Sequence, residues 1–221
     1  MSKRLSKIHP GNPISPDSKF MQIMNRVCDL MLLNILFLVC SIPVFTIGAS
    51  ATALYTVCFR FDTDREGSTV KDFFKAFGSN FRQATGLWLI MLLCGGSALI
   101  NVFLFRFLPA PLHYGFILFA LLFVIALFTG SYVFPLLSRF RNNVPSTLKN
   151  AFYLSIGFFP RTVLLAIINA FPFYLLFCDI YLFLQTGFIW IIVYFSGAAY
   201  IGSLILKPVF ARFEPPEENQ T

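Results

Sequence analysis

Charged residues are scarce in this sequence, and their scarcity excludes an ordinary water-soluble domain. Asp, Glu, Lys and Arg make up 12% of the 221 residues, whereas soluble domains carry about 25%. Hydrophobic residues reach 57% of the chain, and 29 residues are Phe. A chain of this kind cannot cover its surface with polar groups, but it suits a surface that faces lipid. The composition therefore predicts a membrane protein whose first partner is the lipid bilayer.

The motifs of common enzymes and metal sites are also missing. The sequence has no H-E-x-x-H, G-x-S-x-G or Walker lysine loop, and its two His residues offer no acid/base pair. No C-x-x-C pair occurs, so we expect buried, reduced thiols, no metal site and no cofactor. These absences predict a protein that is not an enzyme. The five cysteines are Cys28, Cys40, Cys58, Cys94 and Cys178.

Long apolar segments and the distribution of Lys and Arg predict six transmembrane helices. Residues 1–26 lack the pattern of a cleavable signal peptide, so the first apolar segment is expected to be an uncleaved anchor. Residues 30–59 carry no charge and contain Pro43. If they form a hairpin of two spans, every Lys and Arg except Arg106 falls on the same side of the membrane. Cytoplasmic loops are rich in Lys and Arg, so this side is the cytoplasm. The predicted spans are about 23–42, 44–60, 84–108, 113–137, 162–184 and 187–206.

The net charge of +7 follows from this bias, so no nucleic-acid partner is expected. We expect a multi-pass membrane protein with both termini cytoplasmic. Its domains are a flexible arm (1–20), one membrane domain (21–210) and a disordered tail (211–221). The span at 44–60 is short and has small residues Gly48, Thr52 and Thr56 on one face, so we expect it to lie buried inside the bundle. A re-entrant helix is the alternative.

Two basic amphipathic segments interrupt the apolar chain. In 68–85 the apolar residues recur at helical spacing, which predicts a cytoplasmic helix over about 69–82. The segment 146–163 predicts a second, over about 147–159, and Ser68–Phe74 matches Ser146–Phe152 at an offset of 78. The match favours a parallel internal duplication of span, cytoplasmic helix and span, with chance similarity as the alternative.

Such helices either lie at the headgroup layer near anionic lipid or dock a cytoplasmic partner. Importers of the ATP-binding-cassette class use comparable coupling helices, but their E-A-A…G signature is absent here. The candidate docking or lipid-interface residues are Lys71, Phe73, Phe74, Phe77, Phe81, Lys149, Phe152 and Phe159.

Five polar residues lie within or near the predicted spans, where ionisable groups are costly. We expect Asp29 to pair with Arg26, and Asp179 to pair with Arg106 or His113, near the two interfaces. A proton or cation path is the alternative. The deeper residues Asn34, Asn101 and Asn169 are expected to hydrogen-bond between helices.

The stretch 24–57 resembles the start of the YesL-like family of Gram-positive bacterial membrane proteins, a domain of unknown function. The matching residues are Asn25, Asp29, Leu30, Asn34, Pro43, Thr46, Gly48, Ala49 and Ala53-Leu54-Tyr55. The segments 72–85 and 146–149 resemble the family as well. The resemblance implies that the protein is encoded beside sugar or oligosaccharide importers and polysaccharide-degrading enzymes. We therefore expect a non-enzymatic accessory factor of the bacterial cell membrane that is associated with carbohydrate uptake, with an importer of the ATP-binding-cassette class as its candidate partner. The resemblance implies no activity and no catalytic residues. A small transporter or permease component with a polar path inside the bundle is the alternative function.

Overall fold

A computed structural model of the chain describes residues 19–61, 68–109 and 112–213. Within these ranges the secondary structure is helical and contains no strand. Most of the predicted arm and tail lie outside the described residues. The helices are α1 (Lys19–Cys40), α2 (Ile47–Arg60), α3 (Thr69–Arg106), α4 (Gly115–Arg139), α5 (Val144–Gly157), α6 (Phe159–Cys178), α7 (Ile180–Gln185) and α8 (Gly187–Phe210), and α8 contains a π-helical turn at Trp190–Tyr194.

Five helices are long and apolar enough to cross a bilayer: α1, α3, α4, α6 and α8. At 1.5 Å per residue, 20 residues span about 30 Å, the thickness of the hydrocarbon core. The protein is therefore a multi-pass membrane protein. Helix α2 has 14 residues and, at about 21 Å, is shorter than this thickness; a complete sixth span at 44–60 stays a prediction.

Helix α2 lies inside the bundle, as predicted from its small residues. Nine of its residues are buried, among them Gly48 and Thr52. A Cβ added at Gly48 would lie 2.5 Å from the Ala84 carbonyl oxygen and 2.6 Å from the Trp88 Cβ. Only glycine permits this approach between the backbones of α2 and α3. The Thr52 hydroxyl donates to the Gly48 carbonyl of its own helix over 2.9 Å, so it is satisfied without a partner helix.

The end of α2, the start of α3 and the end of α4 meet at one end of the bundle. Arg60 of α2 forms a salt bridge with Asp72 of α3 at 3.4 Å, and Gln83 of α3 donates to the carbonyl of Asn142, which precedes α5. The Arg139 guanidinium at the end of α4 lies 5.4 Å from the ring centroid of Phe59 in α2. We call this part of the molecule the basic end. It is formed by the start of α1, the end of α2, the start of α3, the end of α4, α5, the start of α6 and the end of α8.

The predicted boundary between a surface helix at 69–82 and a span starting at 84 is wrong. Helix α3 continues through this point for 38 residues, or about 57 Å. The stretch from Phe81 to Thr85 contains no proline and no glycine, so nothing interrupts the backbone hydrogen bonds. Helix α3 thus carries the amphipathic segment and the span as one rod.

The chain behaves differently at the second amphipathic segment. A separate helix, α5, lies where 147–159 was predicted, and Pro145 occupies its first turn, where proline is tolerated. It ends before Phe158, whose φ of −119° and ψ of 45° are not helical. Helix α6 then ends at Cys178, earlier than the predicted limit of 184, because the Asp179 side chain accepts a hydrogen bond from the Leu182 amide at 3.0 Å and caps α7.

Candidate docking surface

The apolar stripe at the start of α3 is divided between the protein core and its surface. Phe73 is fully buried and packs with residues of α1 and α2, including Leu33 and Leu54. Phe77 and Phe81 are partly buried against the same core. The prediction that this stripe faces a partner or lipid is therefore wrong for Phe73, because α2 already occupies that face.

Phe74 lies beside this anchor but points away from the core. Its side chain is 50% exposed, and its ring meets that of Phe73 edge-on at 5.8 Å between centroids. Lys71, one turn earlier, is exposed. A large aromatic ring held against a buried neighbour is pre-ordered, so contact with a partner would cost little conformational entropy.

Helix α5 repeats this division. Thr147, Ala151 and Ser155 form its buried face. Lys149 and Phe152 are exposed, as are Tyr153 and Ile156 at 59% and 60%. We call Lys71 and Phe74 of α3 together with Lys149 and Phe152 of α5 the paired faces, because the two sets occupy matching positions at the offset of 78.

Two residues of this surface were missed by the sequence analysis. Tyr153 and Ile156 continue the exposed face of α5, and the Lys149 ammonium lies 5.9 Å from the Tyr153 ring centroid. The spacing of 149, 152, 153 and 156 is itself helical and marks one face. Phe159, which was grouped with α5 from the sequence, belongs to α6; it is 56% exposed, and its ring lies 5.9 Å from that of Phe128 in α4.

Polar residues near the basic end form side-chain contacts between neighbouring helices. Asp29 of α1 accepts a hydrogen bond from the Thr69 hydroxyl of α3 at 2.9 Å. The predicted partner Arg26 lies instead over the rings of Phe61 and Tyr200, at 5.1 and 5.9 Å from their centroids. These contacts join α1, α3 and α8 where the paired faces begin.

Asn34 is fully buried and joins α1 to the π-helical turn of α8. Its amide donates to the carbonyls of Trp190 at 2.9 Å and Ile191 at 2.7 Å, and its oxygen accepts from the Ser196 amide at 3.0 Å. A π-helical turn leaves carbonyls without their usual helical donors, and Asn34 supplies two. The side chain thereby makes three of its four possible hydrogen bonds within the protein, including both of its donors.

The other two asparagines lie elsewhere. Asn101 donates to the Ser97 carbonyl of its own helix, α3, at 2.8 Å, which corrects the expected bond between helices. Asn169 of α6 donates to the Ser131 hydroxyl of α4 at 3.3 Å. The three asparagines thus have no hydrogen-bond partner in common. Asp179 caps α7 as described above, and its predicted partner His113 has a side chain outside those the structure describes.

Two further expectations concern thiols and metals. Cys58 is buried, but Cys28, Cys94 and Cys178 are exposed, which corrects the expectation of uniformly buried cysteines. These three thiols lie on the outer surfaces of α1, α3 and α6. Apolar side chains on such surfaces are expected to face lipid. Within residues 19–61, 68–109 and 112–213, no three His, Cys, Asp or Glu side chains lie close enough together to hold a metal ion.

Comparison with known proteins finds one family. The model of a family described as "Protein of unknown function, DUF624" matches residues 30–102, which include the second half of α1, all of α2 and most of α3. No curated protein and no solved structure matches the chain. The match and the apolar helices agree on a membrane protein of unknown activity.

Proposed function

We propose that the protein is a non-enzymatic accessory protein of the bacterial cell membrane that docks a partner protein through the paired faces. One observation carries the proposal. Each face sets an exposed lysine and an exposed phenylalanine, Lys71 with Phe74 and Lys149 with Phe152, directly beside a fully buried anchor, Phe73 or Ala151. Aromatic residues held rigidly at a surface are typical of protein interfaces.

The positive charge of the basic end indicates on which side of the membrane the paired faces lie. Arg26, Arg60, Arg139 and Arg161 all lie at the basic end, and cytoplasmic loops of membrane proteins are rich in such residues. We therefore assign the basic end, both termini and the paired faces to the cytoplasm. With this assignment, α2 crosses the membrane completely as a sixth span. The paired faces are then two copies of one duplicated element.

The class of partner rests on the family resemblance. It implies an association with carbohydrate uptake, so we propose as partner an importer of the ATP-binding-cassette class. Short helices with basic and aromatic side chains fit helix-in-groove docking, in which an exposed apolar face enters a groove of the partner. The alternative of a small transporter receives no support from the dispersed positions of Asn34, Asn101 and Asn169.

Co-purification from native membranes tests the proposal. A variant carrying Lys71→Ser, Phe74→Ser, Lys149→Ser and Phe152→Ser is expected to recover at least about tenfold less partner, as a loss of about 1.4 kcal/mol in binding would give. Phe177→Ser with Phe188→Ser is the matched control, since these two phenylalanines are 78% and 75% exposed at the other end. Equal partner recovery by the fourfold variant and the wild type would count against docking.

A further inference from the structure

A cavity of about 430 Å³ opens at the basic end, where four parts of the chain meet. Its walls come from the end of α4 with the loop that follows it, from α5, from Phe158 between α5 and α6, and from the end of α8. The lining residues are Leu136, Phe140, Asn142, Asn150, Tyr153, Leu154, Gly157, Phe158, Phe210 and Phe213. Its volume falls within the range of about 300–1,000 Å³ that is usual for pockets holding small ligands.

The lining combines apolar walls with a few polar groups. Four phenylalanine rings and two leucines form most of the surface, while Asn142, Asn150 and Tyr153 add amide and hydroxyl groups. Phe140 and Phe210 meet edge-on at 5.5 Å and give the cavity a firm wall between α4 and α8. A ligand that fits this lining is largely apolar and carries a polar head.

Three cationic side chains lie over aromatic rings that line the cavity. The guanidinium groups of Arg161 and Arg212 each lie 5.6 Å from the ring centroid of Phe158. The Lys149 ammonium lies 5.9 Å from that of Tyr153. Three positive charges, from α5, from α6 and from the turn after α8, thus lie beside rings that line the cavity. We call this part of the opening the rim.

The carboxylates of the described residues do not balance this charge. There are three within 19–61, 68–109 and 112–213. Asp29 bonds to Thr69, Asp72 to Arg60, and Asp179 to the Leu182 amide. None of the three lines the cavity. Among the described residues, the rim therefore carries a local excess of positive charge, which favours an anion.

We propose that this cavity binds one anionic phospholipid of the bilayer. Its phosphate lies between Arg161 and Arg212, and the adjoining part of an acyl chain packs against Phe140, Phe158 and Phe210. Arginine suits the head group because its planar donors match phosphate oxygens. The apolar walls favour a lipid over a free phosphate ion, which would leave them uncovered. The proposal rests on the membrane orientation given under Proposed function, but not on the docking of a partner.

Native mass spectrometry of the detergent-purified full chain tests the proposal, with phosphatidylglycerol and phosphatidylcholine as probes. We expect the wild type to retain phosphatidylglycerol at least about tenfold better than phosphatidylcholine, a preference of about 1.4 kcal/mol. Arg161→Gln with Arg212→Gln should abolish this preference. Lys75→Gln with Arg106→Gln removes the same charge away from the cavity and should preserve it. Size-exclusion elution at the wild-type volume shows that each variant is folded.

Three outcomes would overturn the proposal. The first is equal retention of the two lipids by the wild type, and the second is an unchanged preference in the double arginine variant. The third is displacement of phosphatidylglycerol by millimolar inorganic phosphate, which would indicate a site for a free anion. A chain ending at Phe213 tests whether the acidic segment 214–221 occupies the cavity instead of a lipid. Unchanged retention of phosphatidylglycerol by this chain supports the lipid as occupant, whereas a large rise in its retention opposes it. Loss of lipid with intact partner recovery leaves the docking proposal standing.

Discussion

The segments 68–85 and 146–163 resemble each other in sequence but differ at one point of the backbone. In the first, the helix continues from the amphipathic segment into the span as α3. In the second, α5 ends and α6 begins on either side of Phe158. At the offset of 78, Pro160 stands where the first segment has Arg82. Proline has no N–H to donate to the carbonyl four residues earlier, and its ring crowds that carbonyl.

The side chains keep the same orientation despite this difference. Phe73 and Ala151 are both fully buried, whereas Phe74 and Phe152 are 50% and 37% exposed. The orientation of each surface helix is therefore set by its buried face and does not depend on continuity with the following span. The duplication itself stays a prediction.

The polar residues around the break explain how it is stabilised. The Thr162 hydroxyl, fully buried, donates to the Ser155 carbonyl in the last turn of α5 at 2.7 Å, and the Tyr132 hydroxyl lies 3.0 Å from it. A helix end leaves carbonyls without partners, and this arrangement satisfies one of them. The matching positions in the first segment are Phe77, Ala84 and Leu54, all apolar, because a continuous helix has no such carbonyl to satisfy.

The strongest test of the comparison removes the buried anchor of the first segment. Phe73→Ala is expected to lower the free energy of unfolding by about 3–5 kcal/mol, because it leaves a cavity among α1, α2 and α3. Phe74→Ala, the matched control on the exposed side, should change it by less than about 1 kcal/mol. Denaturant unfolding in detergent, followed by Trp fluorescence, measures both. Equal losses would mean that the two rings do not face opposite ways.

A second test transfers the break from one segment to the other. Arg82→Pro should cost about 3 kcal/mol, because it removes the amide that bonds to the Gly78 carbonyl within α3. Arg82→Ala keeps that amide and should cost less than about 1 kcal/mol. Unfolding in detergent compares the two variants. Similar stabilities would show that α3 is already interrupted near residue 82.

The smallest expected effect concerns the polar contacts at the break. Thr162→Val keeps the shape of the side chain but leaves the Ser155 carbonyl without its donor, at a cost of about 1–3 kcal/mol. Tyr132→Phe removes a neighbouring hydroxyl and should cost about 1 kcal/mol. The double variant should cost less than the sum of the two, as expected of groups in one network. Simple additivity would contradict the arrangement.

Proline, glycine and charge made part of the fold predictable. The separate helix α5 is marked by two prolines, Pro145 in its own first turn and Pro160 near the start of α6. The small residues of α2 indicated its burial. At residue 82, by contrast, the fall in hydropathy suggested a boundary that the backbone does not have. Hydropathy indicates whether a side chain prefers water or an apolar environment. A helix ends only where a proline or a change of backbone conformation interrupts its hydrogen bonds.

The candidate site was predictable in position but not in detail. Helical spacing found the basic amphipathic segments, but Phe73 and Phe74 are neighbours with the same chemistry. In a membrane protein both the core and the lipid-facing surface are apolar, so hydrophobicity alone cannot tell which ring is buried. The cavity depends on residues from four parts of the chain, such as Phe140, Phe158 and Phe210. No local pattern in the sequence brings these together.

Site-specific photo-crosslinking in native membranes tests the proposed docking most directly. A photoreactive amino acid at position 74 or 152 is expected to trap the same protein, since both positions belong to the paired faces. The same amino acid at position 188, where the native Phe188 is 75% exposed at the other end, should trap lipid and no protein. Adducts with one common protein at 74 and 152 would support docking, and the absence of any protein adduct at both positions would contradict it.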